Sequence, residues 1–415
     1  MRWIAYLTFV LMVGCSSKVI NEEPMLVSVH LIDRNGVQET ISEKERLGRF
    51  QLISFLDPQP YEKVVCTYRQ GVVPITKVIS YHKNGQPKQT LDVVALRANG
   101  AYREFFESGK LKLEATVIEG LGDISPQSQE SWIFDGVSKV YFENGALKAE
   151  IPYEKGVLQG VAVYYREDQS VLRKSPFVDG HSHGEELFFG ASGEIFGALP
   201  YIQGKLHGRS WISPLWEGGH ILETYEMGRL IQGEYRTASG DLVSEVHDGF
   251  GEKSIFQNGR LVQTEEIQGG LVDGKMTFFD KEGFVNHTFL QKKGVKEGEE
   301  CFFYKNKNLK LVVAWENDQI HGLVKSWYEN GGIESERVYA QNKKEGSAFA
   351  WYQDGDRMLI EEYEDDLLIE GRYYKRGDQE PISRVRNGSG IVTLYDAKGG
   401  FLKKIVYEKG LPVSG

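Results

Sequence analysis

The chain has 415 residues, 47 of them Gly and 12 Pro, with Phe, Tyr and Trp at 12% and a net charge of −10. At about 150 residues per domain, this length allows two or three domains or one repeat array. The aromatic content excludes a disordered chain, which lacks apolar surface to bury, and the low Pro count excludes a collagen-like one. An acidic chain without a basic cluster is not expected to bind nucleic acid. Excess Gly together with aromatics points to many short strands joined by tight turns.

Arg2 gives a short positive start, and Trp3 to Val13 is apolar apart from Tyr6 and Thr8. This run is too short for a bilayer-spanning helix, which needs about 20 residues. It has the length of a signal-peptide core. Leu11-Met12-Val13-Gly14-Cys15 closes it and resembles the bacterial lipobox, with Met12 in place of the usual Leu. The resemblance implies that 1–14 is a lipoprotein signal peptide cleaved after Gly14. Cys15 would then carry a diacylglyceryl group and an N-acyl chain of the palmitate kind. The other reading is an ordinary signal peptide with a chance Cys. Residues 15–24 read as a polar tether. The expected location is a bacterial membrane, extracytoplasmic and lipid-anchored through Cys15, facing the periplasm or the cell surface. Disulfides are permitted there, but Cys66 and Cys301 lie far apart in sequence and are expected as separate free thiols. No Cys/His spacing suits zinc, and no metal or cofactor is expected.

Residues 25–73 read as a small strand-rich cap region. VSVHLID, the turn Asp33-Arg34-Asn35-Gly36, a short helix around Ser42 to Leu47, then FQLISFL and KVVCTYR follow in order. Such a segment could close one end of a sheet, as repeat arrays require.

From residue 74 to 415 the chain repeats. Glycines 136, 160, 184, 208, 233, 251, 274, 298, 322, 346, 371, 390 and 415 stand mostly 24 or 25 residues apart, with short steps of 18 and 19 before Gly251 and Gly390. Five residues after the frame Gly stands an aromatic in most units: Tyr141, Tyr165, Phe189, Phe256, Phe279, Phe303, Trp327, Trp351 and Tyr395. Seventeen residues after it stands another, as in Tyr153, Phe177, Tyr201, Tyr225, Trp315, Tyr339, Tyr363 and Tyr407. Between them is a turn, often Asn-Gly, whose two residues tolerate φ > 0. Each unit therefore reads as a β-hairpin, for example Gly160 to Asp168 followed by Val171 to Val178. A polar insertion, Asp123 to Asp135, is expected to tuck Trp132-Ile133-Phe134 back onto the sheet. The spacing pattern recurs after 138 residues, so 136–273 and 274–415 read as a duplicated block. The short units at Gly233 and Gly371 are expected to set a bend or change of twist.

Tyr141 to Gly160 and Tyr328 to Gly346 carry this unit most fully. It resembles the MORN-repeat variant of bacterial proteins, including those labelled YwqK-type antitoxins. The resemblance implies an all-β fold: an elongated antiparallel sheet of successive hairpins, advancing about 10 Å per repeat. Adjacent aromatics such as Phe302-Phe303 should then point to opposite faces.

His181-Ser-His183 has the look of a metal pair. However, His183, His207 and His321 each stand just before a frame Gly and read as turn residues. Lone histidines such as His287 share no frame position. The acid pairs Glu185-Glu186, Glu299-Glu300, Glu361-Glu362 and Asp365-Asp366 read as solvated surface charge. The nine aromatics at the fifth frame position form the candidate binding stripe, with packing between hairpins as its other reading. The chain is therefore expected to be a non-catalytic, lipid-anchored scaffold or adaptor with a protein partner. The family label alone suggests an antitoxin- or immunity-like protein that neutralises a toxin. An envelope enzyme would need polar residues that break the frame.

Overall fold

In a computed structural model the described residues are 24–51, 56–70, 72–213 and 219–414. The chain divides into two compact units, Met1–Ser170 and Val171–Gly415. Each is an antiparallel meander in which consecutive strands pair. In the first unit, strand Met25–Asp33 pairs with Gln38–Ile41 on one side and Tyr61–Gln70 on the other. Tyr61–Gln70 pairs in turn with Val73–Tyr81, so the entry region and the first repeats share one sheet. Hairpins Arg97–Phe105 with Leu111–Glu119 and Ile133–Tyr141 with Leu147–Glu154 continue it. In the second unit the same pairing runs from Val171–Val178 to Leu411–Ser414.

The expected short helix is Lys44–Gln51, and its Leu47 packs into a core with Val29, Leu31, Cys66 and Ile79. FQLISFL therefore begins as the end of a helix: Phe50 packs on that same core. The insertion forms one helical turn, Pro126–Gln129, capped by Ser125. It does return its apolar residues. Trp132 is buried, its ring 4.7 Å from Tyr102 and its Nε1 donating to the Leu121 carbonyl at 2.9 Å.

Two kinds of turn alternate. At one end of most hairpins a single residue is left-handed: Gln169 (φ 68) and Lys307 (φ 69) at two of them, but usually Gly, as at Gly145 (φ 92) and Gly331 (φ 88). There the Asn side chain accepts a backbone N–H two residues on, from Ala146 at 2.8 Å and from Gly332 at 3.0 Å. A register shift follows in the strand, between Val140 and Tyr141 and between Ser326 and Trp327. This is a type I turn with a glycine bulge, a preferred hairpin closure. Asn-Gly uses two positive φ values at Asn258 (φ 50) with Gly259 (φ 78) and at Asn387 (φ 46) with Gly388 (φ 72). The opposite end carries two-residue turns with both φ positive, such as Asp179 (φ 49) with Gly180 (φ 78) and Asp365 (φ 53) with Asp366 (φ 69).

The turns also tie one repeat to the next. The amides of Gly204, Gly228, Asp318, Asn342 and Asp366 donate to Ser182, Leu206, Lys296, Ile320 and Lys344 carbonyls at 2.7 to 3.1 Å. Where Gly is replaced, the side chain adds a second tie. Asp318, Asn342 and Asp366 accept from the Lys296, Ile320 and Lys344 amides at 2.6, 2.8 and 2.7 Å. Tyr304, Tyr328 and Tyr352, six residues after successive frame glycines, donate to the carbonyls of Trp327, Trp351 and Tyr374 at 2.8, 2.6 and 2.7 Å. Pro152, Pro176 and Pro200 stand inside strands. Each carbonyl accepts from Gln159, His183 or His207 at a break in register, so the ladder has no use for the missing N–H.

The short units do bend the sheet. At the first, Gly249 donates to the Ile231 carbonyl, Gly270 to Gly249, and Leu230 to Gly270, each at 2.9 Å. Successive turns thus close into a ring. Gly388, Gly410 and Leu368 repeat it with Ile369, Gly388 and Gly410. Inside each bend a tyrosine folds over a frame glycine. A Cβ on Gly233 would lie 2.8 Å from the Tyr235 hydroxyl, and one on Gly371 would lie 2.6 Å from that of Tyr373. Both rings are fully buried.

Gly371→Ala is expected to destabilise the second unit by about 1–3 kcal/mol through overpacking. Tyr328→Phe, which removes one tie between repeats, should cost about 1 kcal/mol. Urea unfolding of each variant against wild type checks both values, and a neutral Gly371→Ala would refute the glycine-under-tyrosine constraint.

Candidate functional site

The stripe is only partly covered. Eight of its nine residues, Tyr141, Tyr165, Phe189, Phe279, Phe303, Trp327, Trp351 and Tyr395, are half-buried. Their neighbours are polar or aromatic. Lys174 Nζ lies 5.5 Å from the Phe189 ring and Lys325 Nζ 5.4 Å from the Trp327 ring. Trp351 stacks on Phe349 at 6.0 Å, and the Tyr165 hydroxyl donates to Glu150 at 2.9 Å. Phe279 and Phe303 line one open groove of about 520 Å³ with Val262, Asn286 and Lys310. Phe256 does not belong with them. It is 2% exposed, packed with Tyr225, Tyr235 and Ile267. The bend brings its strand, Phe250–Gln257, against Gly219, where an added Cβ would lie 2.7 Å from the ring.

Paired residues in a sheet share a face. The opposite face therefore carries Phe278, His287 and Phe302, which are in direct register. His287 stacks at 5.0 Å on Phe278 and at 4.4 Å on Phe302. Adjacent aromatics separate here as the alternation of a strand requires.

That second face buries carboxylates, which corrects the reading of the acid pairs as solvated. Glu300 is 4% exposed and Glu361 8%, whereas Glu299 and Glu362 are exposed. Strand alternation sends one member of each pair inward. Glu186 is also sheltered, accepting from Ser175 at 2.6 Å with Arg173 at 3.3 Å. Asp365 and Asp366 remain exposed in their turn.

Each buried carboxylate is saturated. Glu223 accepts from the Tyr225 and Tyr235 hydroxyls at 2.9 and 2.7 Å and pairs with Lys253 at 2.8 Å. Its counterpart 138 residues on, Glu361, accepts from Tyr363 and Tyr373 at 3.1 and 2.8 Å. Glu300 meets His287 Nε2 at 2.6 Å, Lys296 Nζ at 2.7 Å and Trp315 Nε1 at 2.8 Å. Burial pushes the Tyr225 phenol up to about 12, with Glu223 adding to the shift. Burial works against the Lys253 ammonium, but Glu223 and Tyr225 outweigh it and hold it above its ordinary value. Burial likewise favours neutral Glu300, yet Lys296 and His287 outweigh that and hold its carboxyl low. These groups keep their protons or charges firmly near neutral pH, as structural networks do, rather than standing poised to transfer them. The sequence held one signal for them: Glu-x-Tyr, at Glu223 and Tyr225 and again at Glu361 and Tyr363.

His183 and His207 sit at turns as expected, and their backbone amides donate to the Pro176 and Pro200 carbonyls. Among the described residues no three of His, Cys, Asp and Glu gather as a metal-binding group. Cys66 and Cys301 are free, and burial pushes the Cys66 thiol up to about 12. Cys15 lies outside the described residues. Among those residues, no helix is long and apolar enough to cross a membrane.

Glu300→Ala should destabilise by about 3–5 kcal/mol at pH 7, because it strands Lys296 and His287 beside a buried void. The pH dependence has a definite sign. A carboxyl held below its ordinary value of 4.5 stabilises fully above that value and loses its contribution as pH falls through the folded-state value. Unfolding of Glu300→Gln should therefore vary less with pH on the acid side than that of wild type. An unchanged acid limb would show that Glu300 is not held low.

None of the curated proteins matches the chain. The model of the MORN repeat variant matches residues 98–118, 134–155 and 320–341. Each matched stretch falls on one hairpin closed by a glycine-bulge turn, namely 97–119, 133–154 and 319–340. The chain thus carries the MORN repeat variant at three places, each copy folded as a single β-hairpin.

Proposed function

We propose that this protein is a non-catalytic, lipid-anchored extracytoplasmic scaffold or adaptor that binds another protein along its aromatic stripe. One observation carries the reading. Eight of the nine stripe aromatics recur at a fixed frame position and stay only half-buried, while the opposite face buries its carboxylates in closed networks. Half-exposed Tyr, Phe and Trp supply large contact area with little side-chain entropy to lose, and such residues are enriched at protein interfaces. Exposed aliphatics such as Leu323 and Val338, directly paired across their strands, extend the same apolar surface.

Cys15 supplies the anchor in this reading. Acyl chains contribute about 0.8 kcal/mol per buried CH₂, and more than one chain makes attachment stable. The polar residues after Cys15 would hold the repeats clear of the bilayer of a bacterial envelope, facing the periplasm or the cell surface.

Photo-crosslinkers placed at Trp327 and Trp351 in cells should trap one recurrent protein partner. Trp327→Ala with Trp351→Ala should weaken that complex by about tenfold or more. Equal trapping from exposed turn positions such as Asp365 would reject the stripe. Fatty acid label retained by wild type should be lost from Cys15→Ala, and equal retention would reject the anchor.

A further inference from the structure

The duplicated block offers an internal comparison. In its first copy Ser244, paired in the sheet with Tyr235, and Ser254, three residues after Gly251, bond to each other through their hydroxyls at 2.7 Å. In the second copy Ser383 is paired with Tyr373, and Thr393 stands three residues after Gly390. These two hydroxyls are buried and have no partner. Thr393 is only 3% exposed. The two copies also differ in the connection before Ser383. Residues 374–382 link strands there, against 238–241 in the first copy.

Ser383 and Thr393, which carry these buried hydroxyls, line a groove of about 610 Å³, within the size range of small-ligand sites. Lys375 from the longer connection and Lys404, directly paired with Thr393, line it too. Neither lysine makes an ion pair among the described residues. Ile391, Tyr395 and Phe401 supply apolar walls, with the Tyr395 and Phe401 rings edge to face at 6.1 Å.

We propose that this groove binds a phosphomonoester carried on a small apolar body. Two ammonium groups match the double negative charge of a phosphomonoester near neutral pH. Its terminal oxygens can take the two hydroxyl donors that the protein leaves unused, and leaving a buried donor unmade is costly. A planar carboxylate with one charge would satisfy less of this set. The apolar walls would hold the alcohol part of the ester. The site is separate from the proposed protein contact along the hairpins, apart from Tyr395, and does not depend on it.

Calorimetric titration of the full chain with phenyl phosphate and with inorganic phosphate at pH 7.5 tests the assignment. Phenyl phosphate should bind saturably at one site and more tightly than inorganic phosphate. Thr393→Val keeps the shape and removes the hydroxyl, and Lys404→Met removes an exposed charge. Each should weaken binding about tenfold. Ser254→Ala, at the equivalent place in the first copy, should bind as wild type does. No saturable binding by wild type, or wild-type affinity in Thr393→Val and Lys404→Met, would overturn the site. Equal affinity for the two probes would overturn the apolar-body part and leave a site for free phosphate.

Discussion

Left-handed turns are the constraint on which the rest depends. A two-residue turn with both φ positive matches the right-handed twist of the strands it joins. Most L-residues resist that conformation. The chain meets the demand with Gly at Gly180, Gly204 and Gly228, and with Asp or Asn at Asp318, Asn342 and Asp366. The second solution has a compensation that glycine lacks. The carboxylate or amide of the turn residue accepts an amide from the preceding repeat, so the strained residue becomes a tie. Spacing between repeats is thereby held at the turns as well as by the ladder.

The same backbone logic explains how a repeat sheet makes a bend. A meander of equal hairpins stacks each turn on the one before. Shortening one unit draws the turn after it inward, until the first and third turns bond directly, as Leu230 does to Gly270. Curvature then creates an inside, and an inside needs filling. Tyr235 and Tyr373 fill it, over glycines that leave room for the rings. A buried phenol needs an acceptor, and Glu223 and Glu361 provide one. The buried acid follows from the tyrosine, which follows from the bend.

Much of the fold was legible in the sequence because one residue type, glycine, marks each unit at a fixed position. The hairpins and the bend at the short units follow from that frame, whereas the entry region with its helix and the return of Trp132 were legible from local patterns outside it. The side-chain faces were harder. A bulge in the second strand of each hairpin and a break where the next hairpin begins change the count of residues between turn and turn, so parity from the frame Gly does not by itself say which of Glu299 and Glu300 faces inward. Phe256 was misplaced for a different reason. Its local pattern is that of the other stripe residues, and packing against Tyr225, Tyr235 and Gly219, contributed by earlier strands, buries it. His287 stood outside every frame position, yet it sits between two aromatic rings with its Nε2 on Glu300.

The two bends, 138 residues apart in sequence, also show which parts of the arrangement recur and which do not. The Glu and Tyr residues of the two bends are retained at a constant offset, because each depends on the other inside a closed space. The cation is not retained. Lys253, two residues after Gly251, has Val392 as its counterpart two residues after Gly390. Glu361 thus holds its tyrosines with no lysine at that place, and Val392 packs into the core with Leu359, Tyr363 and Tyr373. A salt bridge that can be exchanged for an apolar side chain, while the two phenol bonds remain, was never what held the bend. The phenol–carboxylate pair holds it, and the lysine is an embellishment of one copy.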